Sequence, residues 1–208
     1  MLKIWGRASS SNVMKVLWLC EELSIDHERI DVGGEYGRTR EPFYLAMNPN
    51  ALVPVIEEPD GYSVWESHSI LRYLVATRRP GDPMHPAAPR QRADVERWMD
   101  WQLASLSGPM TPLFWTYVRT PEAQRDLAAA AKARDAAEAL WGIVDRQLDG
   151  RDYVAGSFSL ADIVLGPYLH RWFALPVSRA PMPNLEAWYE RLQANHAGFA
   201  QHVAVPMT

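Results

Sequence analysis

The stretch Arg79–Pro89, RPGDPMHPAAP, places four prolines and one glycine in eleven positions. Proline lacks a backbone N–H and clashes with the preceding helical turn, so no regular element runs through such a segment. It divides the 208-residue chain into two parts, 1–78 and 90–208, with 79–89 as linker. The two parts carry different periodicities. In the first, Leu2–Trp5 reads as a short buried strand, followed by a polar loop Gly6–Asn12. Val13, Val16, Leu17, Cys20 and Leu23 then recur at helical spacing up to Ser24. His27–Val32 reads as a second strand, Gly33–Arg40 as a loop and Glu41–Met47 as a short helix. An apolar run interrupted by Pro54 leads through the turn EEPDG to the strand Tyr62–Trp65, and Glu66-Ser67 opens a helix whose Ile70, Leu71 and Leu74 share a face. The order β-α-β-α-β-β-α predicts a small mixed sheet flanked by helices.

The second part is helical throughout. Val95, Trp98, Met99, Gln102 and Leu106 form one stripe, and Met110, Leu113, Phe114 and Tyr117 another after a Gly108-Pro109 interruption. Residues 122–148, entered at Pro121-Glu122, are Ala-rich and strongly helical. Ser159-Leu160-Ala161-Asp162 resembles a capping box before an apolar run to Trp172. Short helices over Leu185–Asn195 and the tail complete the chain.

Composition excludes several function classes. The formal net charge of −4 offers no electrostatic footprint for nucleic acid or an acidic membrane, and no apolar run approaches the ~20 residues needed to span a bilayer. The opening MLKIWGR reads as a strand without the apolar core of a secretory signal, which makes the cytoplasm the expected compartment. One cysteine, Cys20, allows neither an intrachain disulfide nor a multi-cysteine metal site; it sits on an apolar helix face, as a small hydrophobe. The six histidines show no metal spacing, so no metal is expected. His68 adjoins the Glu66-Ser67 pair, near a ligand or at an exposed first-turn position; His170-Arg171-Trp172 reads as helix surface and core. The nine tryptophans are mostly core.

Two features of Asn48–Leu74 are hard to reduce to packing. Pro54 stands where a strand should begin and leaves neighbouring backbone free to pair with something external. Glu66-Ser67 sets a carboxylate and a hydroxyl beside the unpaired N–H groups of a helix N-terminus, an anion site. Singly, each is explained by an edge-strand proline or an N-cap. Adjacent and in this order, they suit a ligand with an extended backbone, an α-amino group and a carboxylate. In the first loop, Ser9, Ser10, Ser11 and Asn12 offer further donors before a helix N-terminus, and at least one is expected to cap it.

The run Val53-Pro54, the hairpin, and W-E-S-x-x-I-L-R-Y-L from Trp65 to Leu74 resemble the glutathione-binding half of glutathione S-transferases. The helical second part and its S-L-A-D-I stretch extend the resemblance over nearly the whole chain. It implies an α/β plus all-α architecture: an N-terminal thioredoxin-like domain and a C-terminal helical-bundle domain. It also implies glutathione as co-substrate, a cis Val53–Pro54 bond, the Val53 backbone on the cysteinyl part, and Glu66 and Ser67 on the γ-glutamyl end. Many members carry lysine or glutamine where this chain has Leu52, so the contact to the glycyl carboxylate is missing or supplied from elsewhere. The implied glutathione-binding set is Ser10, Ser11, Asn12, Arg38, Leu52, Val53, Pro54, Glu66 and Ser67. Aligning the first helix through M-K-V-L puts the catalytic hydroxyl on Ser10, while a Ser-x-Asn pattern leaves Asn12 as the group that meets the sulfur. Ser159 and Asp162 are structural in the family. The expected function is conjugation of glutathione to an electrophilic, partly apolar substrate by a homodimer, with Trp101, Phe114 and Trp115 lining the electrophile pocket. A glutathione-dependent disulfide reductase or peroxidase, and a non-enzymatic glutathione-binding module, are the alternatives.

Overall fold

A computed structural model describes residues 1–207. The first part runs β1 (Leu2–Trp5), α1 (Ser11–Leu23), β2 (His27–Ile30), α2 (Pro42–Met47), β3 (Val55–Glu57), β4 (Ser63–Trp65) and α3 (Ser67–Arg78), the order expected from the sequence. The sheet order is β2-β1-β3-β4, with β1 parallel to β2 and antiparallel to β3, and β3 antiparallel to β4. β2 stops two residues before the expected Val32 because β1 has already ended at Trp5. Beyond that point only loop N–H groups follow it, Gly6 donating to the Ile30 carbonyl (2.9 Å) and Arg7 to that of Val32 (3.1 Å).

The second part contains α4 (Pro89–Trp101), α5 (Ser107–Phe114), α6 (Leu127–Gln147), α7 (Leu160–Ala174), α8 (Pro183–Asn195) and α9 (Ala197–His202). Two sequence expectations need correction. Gly108-Pro109 does not interrupt the chain, which stays helical from Pro89 to Arg119 through wide π turns at Gln102–Leu106 and Trp115–Arg119. Pro109 and Pro112 each remove one helical donor, and widened turns beside them absorb the mismatch. Two hydroxyls satisfy carbonyls there: Ser107 donates to Gln102 (3.0 Å) and Thr116 to Pro112 (2.9 Å). The Ala-rich helix begins at Leu127 and not at Pro121-Glu122, because the Asp126 carboxylate caps it by accepting from the Ala129 N–H at 2.9 Å. The Ser159/Asp162 capping box is present, and the buried Asp162 carboxylate also accepts from the Val154 N–H at 3.1 Å. No described helix is long and apolar enough to cross a membrane.

Helix α1 is the axis of the molecule. Ten of its thirteen residues are buried, too many for a helix with one solvent face. The sheet-side core covers one flank, and α7 and α9 cover the other. Trp18, fully buried, enters a slot formed by two glycines. A Cβ on Gly166 of α7 would lie 2.4 Å from the Trp18 ring, and one on Gly198 of α9 would lie 2.7 Å from it. The Trp18 indole N–H donates to Glu22 at 2.8 Å, and its ring meets Phe199 edge-on at 5.0 Å. Met84 is buried and its carbonyl accepts from the Leu160 N–H at 3.0 Å, tying the proline-rich segment to α7.

Gly166→Ala should therefore lower stability by about 1–3 kcal/mol, because a rigid indole and not a flexible side chain blocks the methyl group. Gly142→Ala in α6, which meets only the Arg146 side chain at 3.5 Å, should instead raise it by about 0.5–1 kcal/mol. Urea denaturation of both variants checks the pair.

Candidate functional site

Two helix N-termini open onto one place. Ser10 occupies the N-cap position of α1 with extended backbone (φ −80°, ψ 123°), yet its side chain makes no capping hydrogen bond. Neither do Ser9, Ser11 or Asn12 cap the helix, so the expected serine or asparagine cap is absent. Among the described residues, no protein acceptor serves the N–H groups of Ser11, Asn12 and Val13; Met14 is the first to bond, to the Ser10 carbonyl at 2.9 Å. At α3 the N-cap is Glu66, also without a side-chain cap bond, and the first bonded N–H is that of Ile70. Unsatisfied N–H groups and the positive end of the helix dipole make both termini receptors for anions. Glu66 is held at φ +69°, a region that costs a non-glycine residue on the order of 1–3 kcal/mol and points to function when observed.

The two termini are joined by side chains. The Ser67 hydroxyl donates to Asn12 Oδ1 at 3.4 Å, and Lys15 Nζ donates to the same oxygen at 3.1 Å. With its oxygen occupied, Asn12 has Nδ2 as the donor available to a ligand. Lys15 is fully buried and has no carboxylate partner among the described residues. Its ammonium nitrogen donates to Gln102 Oε1 at 2.7 Å and stands 3.1 Å from His68 Nε2. Gln102 continues the chain by donating to Ser107 Oγ at 2.7 Å, and the Tyr168 hydroxyl lies 3.3 Å from Ser107 Oγ. Burial, reinforced by the positive charge of Arg171, lowers the Lys15 pKa to about 7 against an opposing effect of Glu66. Burial and the neighbouring Lys15 likewise push His68 down to about 2, so its ring is neutral.

Next to Asn12 lies a cleft of about 670 Å³, lined by Ser10, Ser11, Asn12 and Leu52 on one side and by Phe114, Trp115, Tyr168 and Arg171 on the other. That volume is within the ~300–1,000 Å³ usual for small-molecule sites. The Val53–Pro54 bond is cis, and no turn, loop or cap hydrogen bond within the described residues uses the Val53 N–H or carbonyl. The preceding carbonyl is fixed: Leu52 O accepts from the Tyr44 hydroxyl and from Asn48 Nδ2, each at 2.8 Å. Glu66 and Ser67 lie outside the cleft lining and join it through Asn12. Arg38 also lies outside it, with φ +68°, pairing with Glu41 (3.8 Å) and covering the Phe43 ring (5.0 Å).

Trp101 is a correction. It does not line the cleft but packs edge-on against Trp98 at 5.3 Å, against the core cluster. The π turn that starts at Gln102 changes the helical phase, sending Gln102 inward to Lys15 and Phe114 and Trp115 to the cleft. His68 is buried, not exposed. Arg171, read as helix surface or core, faces the cleft. Cys20 is buried and its thiol is pushed up to about 12 by burial, which leaves it unreactive. Sequence reasoning also passed over Arg7, Lys15, Arg119 and Tyr168. Lys15 alone carried a signal, as a charge inside the apolar run Val13–Leu23.

Comparison with known proteins agrees with this architecture. The sequence profile of the glutathione S-transferase N-terminal domain matches residues 9–77, and that of the C-terminal domain matches residues 122–191. Escherichia coli glutathione S-transferase GstB is 36% identical over 92% of this chain and 93% of its own length. The theta class glutathione S-transferase of Xanthomonas axonopodis pv. citri, solved with glutathione bound, superposes with a TM-score of 0.94 at 40% identity, covering 100% of this chain and 99% of that one. Bombyx mori glutathione transferase BmGSTD1 superposes at 0.86 with 26% identity, covering 98% and 93%. The chain belongs to the glutathione S-transferase family, with the thioredoxin-like and helical parts that the family implies.

The buried lysine gives a pH-dependent expectation. A group whose folded pKa lies near 7, below its ordinary 10.5, binds fewer protons in the native state, so stability rises as pH passes from about 7 towards 10.5. Lys15→Met removes this group. The urea midpoint of the native protein should therefore climb relative to that of Lys15→Met between pH 7 and pH 9. Parallel midpoints over that interval would mean that Lys15 keeps an ordinary pKa in the fold.

Proposed function

We propose that the cleft binds glutathione and that the protein transfers its thiolate to an electrophilic carbon. The observation that carries this reading is the pair of uncapped helix N-termini, of α1 and α3, linked through Asn12 and Ser67 beside an uncommitted Ser10 hydroxyl. In this arrangement Glu66 and Ser67 take the γ-glutamyl end, the Val53 backbone pairs with the cysteinyl unit, and Ser11, Leu52 and Arg38 border the remainder. The sulfur then lies at the start of α1, where Ser10 Oγ and Asn12 Nδ2 donate to its charged form. A free thiol has a pKa of about 8.5, so only a few per cent is thiolate at pH 7. Donors and a helix dipole that lower this by about two units make most of the bound thiol reactive. The glutathione-bound relative from Xanthomonas supports the ligand. A second reading, disulfide reduction through glutathione, draws support from the fixed orientation of Asn12, which suits a Ser-x-Asn sulfur site.

Ser10→Ala should raise the pH midpoint of turnover and reduce the rate at pH 7, with glutathione affinity kept within about threefold. Glu66→Ala should instead weaken glutathione binding by about 1–3 kcal/mol. pH–rate profiles with an aryl halide and a mixed disulfide, together with calorimetry, separate these outcomes. An unmoved profile in Ser10→Ala with a shifted one in Asn12→Ala assigns the sulfur to Asn12.

We place the protein in the cytoplasm as a two-fold homodimer. Exposed Phe43, Tyr62 and Trp65 in the first part and Leu127 and Ile143 on α6 supply apolar surface for pairing one part with the other across the axis. Sedimentation at micromolar protein should give twice the 23.6 kDa chain mass; a monomer there contradicts the assembly.

A further inference from the structure

Three guanidinium groups line the cleft. Arg7 follows β1, Arg119 ends the second π turn and Arg171 lies on α7, yet all three line the same cavity. Among the described residues none of the three has a carboxylate within 4.0 Å, and none donates a side-chain hydrogen bond to the protein. Elsewhere the chain pairs its arginines readily: Arg29 with Asp31, Arg72 with Asp100, Arg78 with Glu58 and Arg191 with Asp152. Arg7 Nε is buried with no partner at all. Its side chain reaches this place because Gly34 has no Cβ, which would stand 3.0 Å from Arg7 Cδ. Glu35 is the single acid lining the cavity, against three guanidinium groups.

Two of these cations, Arg119 and Arg171, stand on the helical wall of the cleft. The guanidinium of Arg171 stacks 3.9 Å from the Phe114 ring centroid, and that of Arg119 lies 5.9 Å from the same ring. An aromatic face braced by two cations orients a planar or carbon-bound anion by its charged edge. Burial, and the repulsion of Arg119 and Arg7, lowers the Arg171 pKa to about 10, opposed by Tyr168. Burial and Arg119 lower that of Arg7 as well, against Glu35. Three guanidinium groups held together at this cost, with Glu35 alone lining the cavity as counter-charge and no ion pair to any of them, are complementary to an anion from outside.

We infer that the second substrate is a small organic anion, an electrophile that carries a carboxylate bound by Arg119 and Arg171, with Arg7 completing the cationic wall. This rests on the transferase reading and narrows it. For a halide-bearing substrate, the glutathione thiol first loses its proton to solvent. The thiolate sulfur then forms a bond to the electrophilic carbon, the carbon–halogen bond breaks, and the halide departs with the electron pair. The carboxylate is unchanged. An anionic nucleophile and an anionic electrophile repel each other in water, and the three cations offset that repulsion where negative charge gathers.

A matched pair of electrophiles tests it: 4-fluoro-3-nitrobenzoate and its methyl ester, each rate divided by the uncatalysed rate with glutathione. The acid should be favoured in kcat/KM by about tenfold or more, the usual effect of a charge-assisted contact. In Arg119→Gln and in Arg171→Met the acid-to-ester ratio should fall by about tenfold, with the loss mainly in KM for the acid and little change in KM for glutathione. Arg119 is exposed, so its variant carries the test even where Arg171→Met fails to fold. Ester turnover without acid preference overturns the inference and leaves the transferase reading intact. A ratio unchanged in both variants, or a rise in the glutathione KM alone, assigns the arginines to glutathione and also overturns it. No turnover of either electrophile overturns the transferase reading and the inference together.

Discussion

The structure depends on burying α1 from both sides. Trp18 in its slot between Gly166 and Gly198 fixes the helix against α7 and α9, while Val13, Val16 and Leu17 join the core shared with the sheet and α3. A helix clamped this way cannot shift without opening a cavity or a clash. Its N-terminus is consequently held in register with α3, which brings Asn12 to Ser67, and with α7, which brings Tyr168 and Arg171 to the same cleft. The ten buried residues of this one helix thus carry much of the packing between the two halves of the chain.

The same burial dictates the chemistry of the site. Lys15 sits on a helix face with no route to water, so its ammonium depends on Asn12, Gln102 and His68, all neutral. Desolvation weakens the charge on Lys15 but also lets fixed dipoles act through a medium of low dielectric. Uncapped helix N-termini, an oriented asparagine and a free serine hydroxyl all favour negative charge at one place. The arginines of the helical half extend that preference across the cleft. A thiolate and an anionic partner are the species such a field gathers.

Much of the fold was legible in the sequence because it is written in local rules. The strand and helix order of the first 78 residues follows from periodicity and turn residues, and the Ser159/Asp162 capping box follows from a four-residue pattern. The failures fall where distant residues decide. Gly108-Pro109 reads as a break, but π turns on either side of α5 accommodate its prolines. Those turns rephase the helix, which is why Trp101 packs on Trp98 while Phe114 and Trp115 reach the cleft. Ser10, Ser11 and Asn12 were legible as candidates through the family resemblance. The Lys15–His68–Gln102 contacts were not, since they join positions 53 and 87 residues apart. Nor does any local pattern distinguish Arg7, Arg119 and Arg171 from solvated surface charges.

The sulfur site proposed for glutathione is the start of α1, with Ser10 and Asn12 as its donors. A crystal structure of the protein with glutathione bound tests it most directly. The sulfur should lie within hydrogen-bond distance of Ser10 Oγ or Asn12 Nδ2, with the cysteinyl backbone paired with Val53, the γ-glutamyl end at Glu66 and Ser67, and Lys15 still bonded to Asn12. A sulfur lying away from both side chains, or a Ser10 hydroxyl turned back to cap α1, would contradict it.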